Sequence, residues 1–164
     1  PSSILELGSG TTTGIFTDYV LNSKDSTLTS VDESEEWINN TALIAGINDN
    51  PKITQIHSPS QFKISDNQLY CSYTKIFNKK FDFVLIDGPS LLYENVKRKD
   101  AVNSDIINII EHHPPETIIV DIRRSTLIYL EKNYGDLYDV FPSDIITNKI
   151  KVDYRYFSVL KKKK

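Results

Sequence analysis

The sequence has no methionine, one cysteine (Cys71), one tryptophan (Trp37) and six glycines in 164 residues. A lone thiol cannot close an internal disulfide, and no Cys/His group has the spacing of a zinc site. No apolar run approaches the roughly 20 residues that a membrane helix needs, and no charged-then-apolar signal segment opens the chain. The resulting expectation is a soluble, cytoplasmic protein. Excess charge of one sign is also lacking, since the net charge is −3. General nucleic-acid binders are usually basic, so this balance disfavours nucleic acid as a partner. Positive charge is local, at Lys79-Lys80, Lys97 to Lys99, Arg123-Arg124 and Lys161 to Lys164, and reads as solvated faces and a loose end. Repeats, low-complexity blocks and Gly/Ser linkers are absent. What is present is a globular composition, 39% hydrophobic and 10% aromatic, with too much apolar side chain for a disordered chain. The length suits one domain. A start at Pro1 without any methionine reads as a domain whose N-terminal part is missing.

Short apolar runs alternate with helical patterns. Ile4 to Leu7, Thr27 to Val31, Lys52 to His57, Phe81 to Ile86 and Thr117 to Val120 read as strands. Phe81 to Ile86 is nearly continuous in apolar residues, as in a strand buried on both faces. A helix with Ile15, Phe16, Tyr19 and Val20 on one face is expected to be capped by Thr12 or Thr13. A second, capped by Asp32 or Ser34, carries Trp37, Ile38, Leu43 and Ile44. A third spans Ala101 to Ile110, ended by Pro114-Pro115. A fourth runs from a Ser125 cap to Gly135 through Leu127, Ile128, Leu130 and Tyr134. Ser60 to Lys80 lacks periodicity and is expected to hold little beyond one short helix or turn. Leu137 to Phe141 and Tyr154 to Leu160 read as a final antiparallel pair. Such alternation predicts an α/β fold with a mostly parallel sheet and ligands beyond the carboxyl ends of its strands. The unusual polar residues cluster there: Gly8 to Thr13, Asp32, His57-Ser58, Asp87 and Asp121.

Glu6-Leu7-Gly8-Ser9-Gly10-Thr11-Thr12-Thr13 places two glycines directly after a strand, where the backbone turns tightly and approaches a ligand. The following helix offers unpaired N–H groups and a partial positive charge. The dinucleotide fingerprint needs a third glycine three residues after the second, and residue 13 is Thr. Glu6 would repel a pyrophosphate but suits a cationic ligand. Asp32 closes the second strand, where a carboxylate can accept from both hydroxyls of a ribose. It can equally cap the next helix.

In this order the two motifs resemble motifs I and II of the class I S-adenosylmethionine-dependent methyltransferases. Val31-Asp32 with Trp37, Ile56-His57-Ser58-Pro59 and Leu85-Ile86-Asp87-Gly88-Pro89 extend the resemblance, which resembles a branch with D-G-P after strand four and spans residues 3 to about 160. It implies a Rossmann-like sheet of seven strands, helices on both faces and the last strand antiparallel. It implies S-adenosylmethionine as cofactor, with Glu6, Gly8 and Gly10 at its methionine end and Ser9 and Thr13 also among the cofactor-binding residues. Asp32 would hold the ribose, Glu33 and Ser58 would lie near the adenine, and Asp87 would face the methyl group.

Methyl transfer is an in-line displacement governed by alignment, and an oxygen nucleophile must also lose its proton. Asp87 and Asp121 are the candidate catalytic carboxylates, either able to act as base. Arg123 is the candidate contact to an anionic substrate. In catechol O-methyltransferases aspartates at these strand ends bind Mg²⁺ with a following Asn. Here Ile122 follows Asp121, so Mg²⁺ is admitted without being favoured, and no metal ligand set is assigned. His57 is expected as a buried, hydrogen-bonded histidine, and Cys71 as an idle buried thiol. The expected reaction is O-methylation of a small molecule or glycan. The competing readings are a nucleic-acid methyltransferase and a cofactor-binding or scaffold domain without catalysis. The D/N-P-P-Y/F and Lys-Asp-Lys-Glu sets of nucleic-acid enzymes are absent.

Overall fold

A computed structural model of the chain describes residues 1–47, 49–75, 77–142 and 157–164. Strands β1 (Ser3–Leu7), β2 (Thr27–Asp32) and β3 (Ile53–His57) alternate with helices α1 (Thr11–Asn22) and α2 (Glu35–Ala45). A hairpin of β4 (Ser60–Ser65) and β5 (Gln68–Tyr73) follows, then β6 (Phe83–Ile86). The short strands β7 (Leu92–Tyr93), β8 (Val96–Lys97) and β9 (Val102–Asn103) lead into α3 (Ser104–His112). The chain closes with β10 (Thr117–Asp121), α4 (Arg124–Tyr134), β11 (Tyr138–Pro142) and β12 (Phe157–Lys162).

Seven strands form the central sheet in the order β11-β12-β10-β6-β1-β2-β3. β12 runs antiparallel to both neighbours, whereas β10, β6, β1, β2 and β3 are mutually parallel. The fold is therefore the mostly parallel α/β sheet expected from the alternation, with the seven-stranded Rossmann-like order that the resemblance implies. Its larger core packs Leu5, Leu7, Val84, Ile86, Ile118 and Val120 of the sheet against Ile106, Ile109 and Ile110 of α3 and Leu130 of α4. The opposite face packs Ile4, Leu28 and Phe83 against Phe16 and Val20 of α1. Strand residues alternate between the faces, so the paired Glu6, Leu85 and Ser30 lie on the α1 side. Asp87 and Asp121 prolong the rows of Leu85 and Ile119 on that side.

Local departures from the sequence pattern have physical causes. The segment from Ser60 to Tyr73 is an antiparallel hairpin, with Leu69, Cys71 and Tyr73 buried on alternate positions. Its polar intervening residues hide that period from a helix-oriented reading. α1 starts at Thr11 with Gly10 as its N-cap; Thr12 and Thr13 lie within the first turn, where their hydroxyls donate to Glu6 and the Thr13 oxygen accepts from Gly10 N as the third-residue member of a capping box. Its inner face is Thr13, Thr17 and Val20, while Ile15 and Tyr19 are exposed. Ser34 caps α2 by accepting from Trp37 N. Ile38 and Thr41 are the buried residues of α2, and Leu43 and Ile44 are exposed. α3 begins three residues later than expected because the Asn103 side chain accepts from Ile106 N (3.0 Å) and caps it. Ser125 does not cap α4, since its hydroxyl donates to Lys99 O and Arg123 holds the cap position. The expected strand start at Tyr154 lies outside the described residues. Among those described, no helix is long and apolar enough to cross a membrane.

Asp105, at the first turn of α3, is buried and accepts from Tyr73 N (3.0 Å). Burial pushes its carboxyl up to about 7. Between the ordinary carboxylate range and pH 7 the folded chain then holds a proton that the unfolded chain releases. Stability should fall as pH rises through that window. Urea titrations at pH 5 and pH 8 are expected to differ through this group by ~2–3 kcal/mol, the two pH units between 5 and its value of about 7. In Asp105→Asn, which keeps an acceptor for Tyr73 N, that difference should shrink.

Candidate functional site

The ends of β10, β6, β1 and β2 lie side by side at the middle of the sheet. Gly8 turns the chain out of β1 with φ +98°, a conformation that L side chains rarely adopt. Its N–H donates to Val31 O (2.8 Å), while Asp87 and Gly88 N–H both donate to Leu7 O. The two glycine backbones touch. A Cβ on Gly8 would lie 2.6 Å from Gly88 N, and one on Gly88 would collide with the Tyr73 hydroxyl. Around Gly10, by contrast, a Cβ would meet nothing within 4 Å. This is the open part of the loop.

Beneath the loop, Glu6 is fully buried. Its carboxylate accepts from the hydroxyls of Thr12 (2.5 Å), Thr13 (2.6 Å) and Ser30 (2.6 Å). The Thr13 hydroxyl in turn accepts from Gly10 N (2.9 Å). Burial raises the Glu6 carboxyl, the three hydroxyls oppose that rise, and the nearby Asp87 charge adds to it. Glu6 and Thr13 were expected to line the cofactor. The structure places both under the loop, fully buried, where their hydrogen bonds fix its shape.

Asp32 joins the loop to the second helix. One carboxylate oxygen accepts from Ser9 N (3.0 Å) and the other from Ser34 N (2.9 Å). Each oxygen keeps a second lone pair for a hydroxyl donor. Trp37, on the first turn of α2, donates Nε1–H to Ser9 O (2.6 Å) and is 50% exposed. The sequence put Trp37 on the second helix, and the fold brings its indole against the glycine loop. Ser9 Oγ is buried with no partner. Ser58 is buried with its hydroxyl near Thr74 Oγ1 (3.3 Å) and accepting from Lys75 N (3.0 Å), turned toward the hairpin. The Glu33 carboxylate accepts from Ser90 N (2.9 Å), so its side chain bridges the ends of β2 and β6. His57 is exposed, with Nε2 3.1 Å from Glu33 O, which corrects its expected burial. Cys71 is buried and free, and burial pushes its thiol up to about 11.

The Asp87-Gly88-Pro89 turn is held from below. Arg123 Nη2 donates to both Asp87 O and Pro89 O, and Asn103 Nδ2 donates to Gly88 O (3.0 Å). Arg123 is only 9% exposed, and its Nη1 is buried without a partner. The expected contact from Arg123 to an anionic substrate is therefore turned inward. The reason is geometric: Ile122 has φ +39° and faces solvent, which swings the next side chain under the turn. The Asp87 side chain is left at the surface beside Asp121. Burial, the charge of Asp87 and a hydrogen bond to it push the Asp121 carboxyl up to about 6, against the opposing charge of Arg123. On the end of the strand next to Asp87, the Asp121 carboxyl thus holds its proton to a higher pH than an ordinary carboxyl does. Among the described residues no group of three His, Cys, Asp or Glu side chains gathers to hold a metal ion.

No protein-family model matches the chain, and no curated protein does. Solved structures match it over nearly its whole length. An O-methyltransferase from Streptomyces achromogenes, TomG, solved with its methyl donor, is 11% identical with a TM-score of 0.56, over 99% of this chain and 74% of that one. An O-methyltransferase from Bacillus cereus is 13% identical with a TM-score of 0.55, over 99% and 74%. A protein provisionally assigned as an rRNA methylase from Clostridium thermocellum is 12% identical with a TM-score of 0.62, over 99% and 89%. Strand order, the antiparallel β12 and these similarities together establish that the chain has the class I S-adenosylmethionine-dependent methyltransferase fold.

Proposed function

We propose that the chain is an S-adenosylmethionine-dependent methyltransferase that methylates an oxygen of a small molecule or sugar, with Asp87 near the reacting centre. The observation that carries this reading is the placement of the exposed Asp87 side chain beside the Asp121 carboxyl, which its burial and Asp87 push up to about 6, next to a glycine loop. The residues fit such a cofactor in three respects. Gly10 leaves open space, Ser9 Oγ is buried without a partner, and Asp32 retains lone pairs at the ribose position. When bound, the cofactor supplies a methyl group activated by a sulfonium charge. The chain's own residues do the remaining work. Asp32 orients ribose hydroxyls, Glu6 supplies a fixed negative field, and Glu33 and Ser58 shape the adenine side. The Asp87–Asp121 carboxyls take the acceptor hydroxyl's proton, and Arg123 positions Asp87 by gripping its carbonyl. This reading includes no Mg²⁺.

A second reading, a scaffold domain without catalysis, is favoured by one observation. The turn after β6 crosses Gly8 and reaches Glu33, so the chain itself spans part of the strand-end crevice. Titration with S-adenosylhomocysteine separates the two. Trp37, the single tryptophan, touches Ser9 and should report binding through its emission. Asp32→Ala should weaken that binding by about 1–3 kcal/mol, the cost of buried hydroxyls left without partners. Saturable quenching that Asp32→Ala weakens supports the transferase; no emission change and no thermal shift support the scaffold.

A further inference from the structure

Where strand–helix alternation calls for a helix between β3 and β6, this chain inserts the β4–β5 hairpin. One face of that hairpin is apolar, with Phe62, Leu69 and Cys71 packed with Leu91 and Ala101. The other face lines a cleft of about 410 Å³ against α3 and α4, within the size range of small-ligand sites. The registers Gln61↔Ser72 and Lys63↔Tyr70 place these four side chains on that same face. α3 contributes Ser104, and α4 contributes Tyr129. The Tyr70 and Tyr129 rings meet edge to face, 6.2 Å apart at 81°, and close one side of the cleft.

The lining's chemistry is selective. It contains no carboxylate and one ammonium, Lys63, which forms no ion pair among the described residues. Gln61 Nε2 donates to Ser72 Oγ (3.2 Å), and this leaves the Gln61 carbonyl and the Ser72 proton for a ligand. Edge-to-face rings leave no parallel slot for a planar base between them, but a ring face can cover the C–H face of a sugar. The Gln61–Ser72 amide–hydroxyl pair at one end of the β4 face, with Ser65 four residues further along it and Ser104 from α3, matches a molecule with several hydroxyls. A lone lysine matches a single anionic group on it.

We propose that this cleft is a binding site for an anionic sugar of the sugar-phosphate class, with Lys63 on the phosphate and Tyr70 and Tyr129 against the ring. The site shares no residue with the strand-end turns, so it does not depend on the transferase reading. Glucose 6-phosphate is the probe, followed by NMR of the tyrosine ring protons and by calorimetry. Saturable shifts at Tyr70 and Tyr129 are expected, with Trp37 emission unchanged. Lys63→Met should weaken binding about tenfold, the scale of one charge-assisted hydrogen bond, while Lys24→Met, remote on the surface, should not. Equal melting temperatures of the two variants would confirm that both fold. Glucose is expected to bind more weakly than its phosphate, and inorganic phosphate to leave the tyrosine rings unshifted. Unmoved tyrosine resonances overturn the proposal. So does full affinity in Lys63→Met, or inorganic phosphate binding as tightly as the sugar phosphate.

Discussion

Asp87→Asn should lower turnover by about 100-fold or more, the scale on which general-base and electrostatic roles act, while S-adenosylhomocysteine affinity stays within about twofold of the parent. The side chain keeps its shape and its place at the surface, and the Arg123 grip falls on the Asp87 carbonyl, which the substitution does not alter. What changes is charge. Asp121 is pushed up to about 6 by its burial first and by Asp87 second. Removing the Asp87 charge should therefore lower the Asp121 pKa without returning it fully to the ordinary value, because the burial remains. In the parent the acid limb of the pH–rate profile should fall near pH 6, as Asp121 takes up its proton and a base is lost from the site. In Asp87→Asn that limb should move to lower pH on a much reduced plateau. Release of S-adenosylhomocysteine with a hydroxyl-bearing acceptor measures the rate. Carboxyl ¹³C titration of Asp121 measures the shift without any acceptor. Parent-like turnover would remove Asp87 from the chemistry. An unmoved Asp121 titration would show that the two carboxyls do not communicate.

Gly8→Ala should destabilise the fold by roughly 3 kcal/mol or more. Two costs add: a positive φ held by a residue with a Cβ, and a collision with backbone that cannot swing aside. The nearest atoms are Gly88 N at 2.6 Å and the Asp87 carbonyl carbon at 2.8 Å. Both belong to a turn pinned by Arg123 and Asn103, so relief would require breaking buried hydrogen bonds. Gly10→Ala is the contrast. Its Cβ would meet nothing within 4 Å, so stability should change by less than about 1 kcal/mol, whereas S-adenosylhomocysteine should bind more weakly because the methyl projects into the open cradle. Urea unfolding and Trp37 titration of the two variants make the comparison. Equal stability losses would contradict the assignment of Gly8 to internal packing and Gly10 to ligand approach.

The same contrast explains which site residues could be read from the sequence. A glycine after an apolar run announces a tight turn, but not what presses against it. Glu6 and Thr13 carry the polarity of ligand contacts, yet three hydroxyls enclose the one and the other is buried beneath the loop. Arg123 follows a strand end, where substrates are commonly met, and only the positive φ of Ile122 sends its guanidinium inward. Trp37 and Tyr73 reach the loop from α2 and β5, elements whose spacing in sequence says nothing of that meeting.

Order along the chain was enough to determine the alternating strands, the parallel sheet and the clustering of Gly8, Asp32, Asp87 and Asp121 at strand ends. Those features follow from local periodicity and from the limited ways in which short connections can join parallel strands. Tertiary structure alone decided which polar groups face outward. It exposed the Asp87 side chain and the Gly10 face, buried Glu6 and Arg123, and folded residues 60–73 into a hairpin with one polar side. The reason is that burial and partnership depend on groups distant in sequence, such as Tyr73 against Gly88 and Ser90 against Glu33. No local pattern of residues encodes those distances.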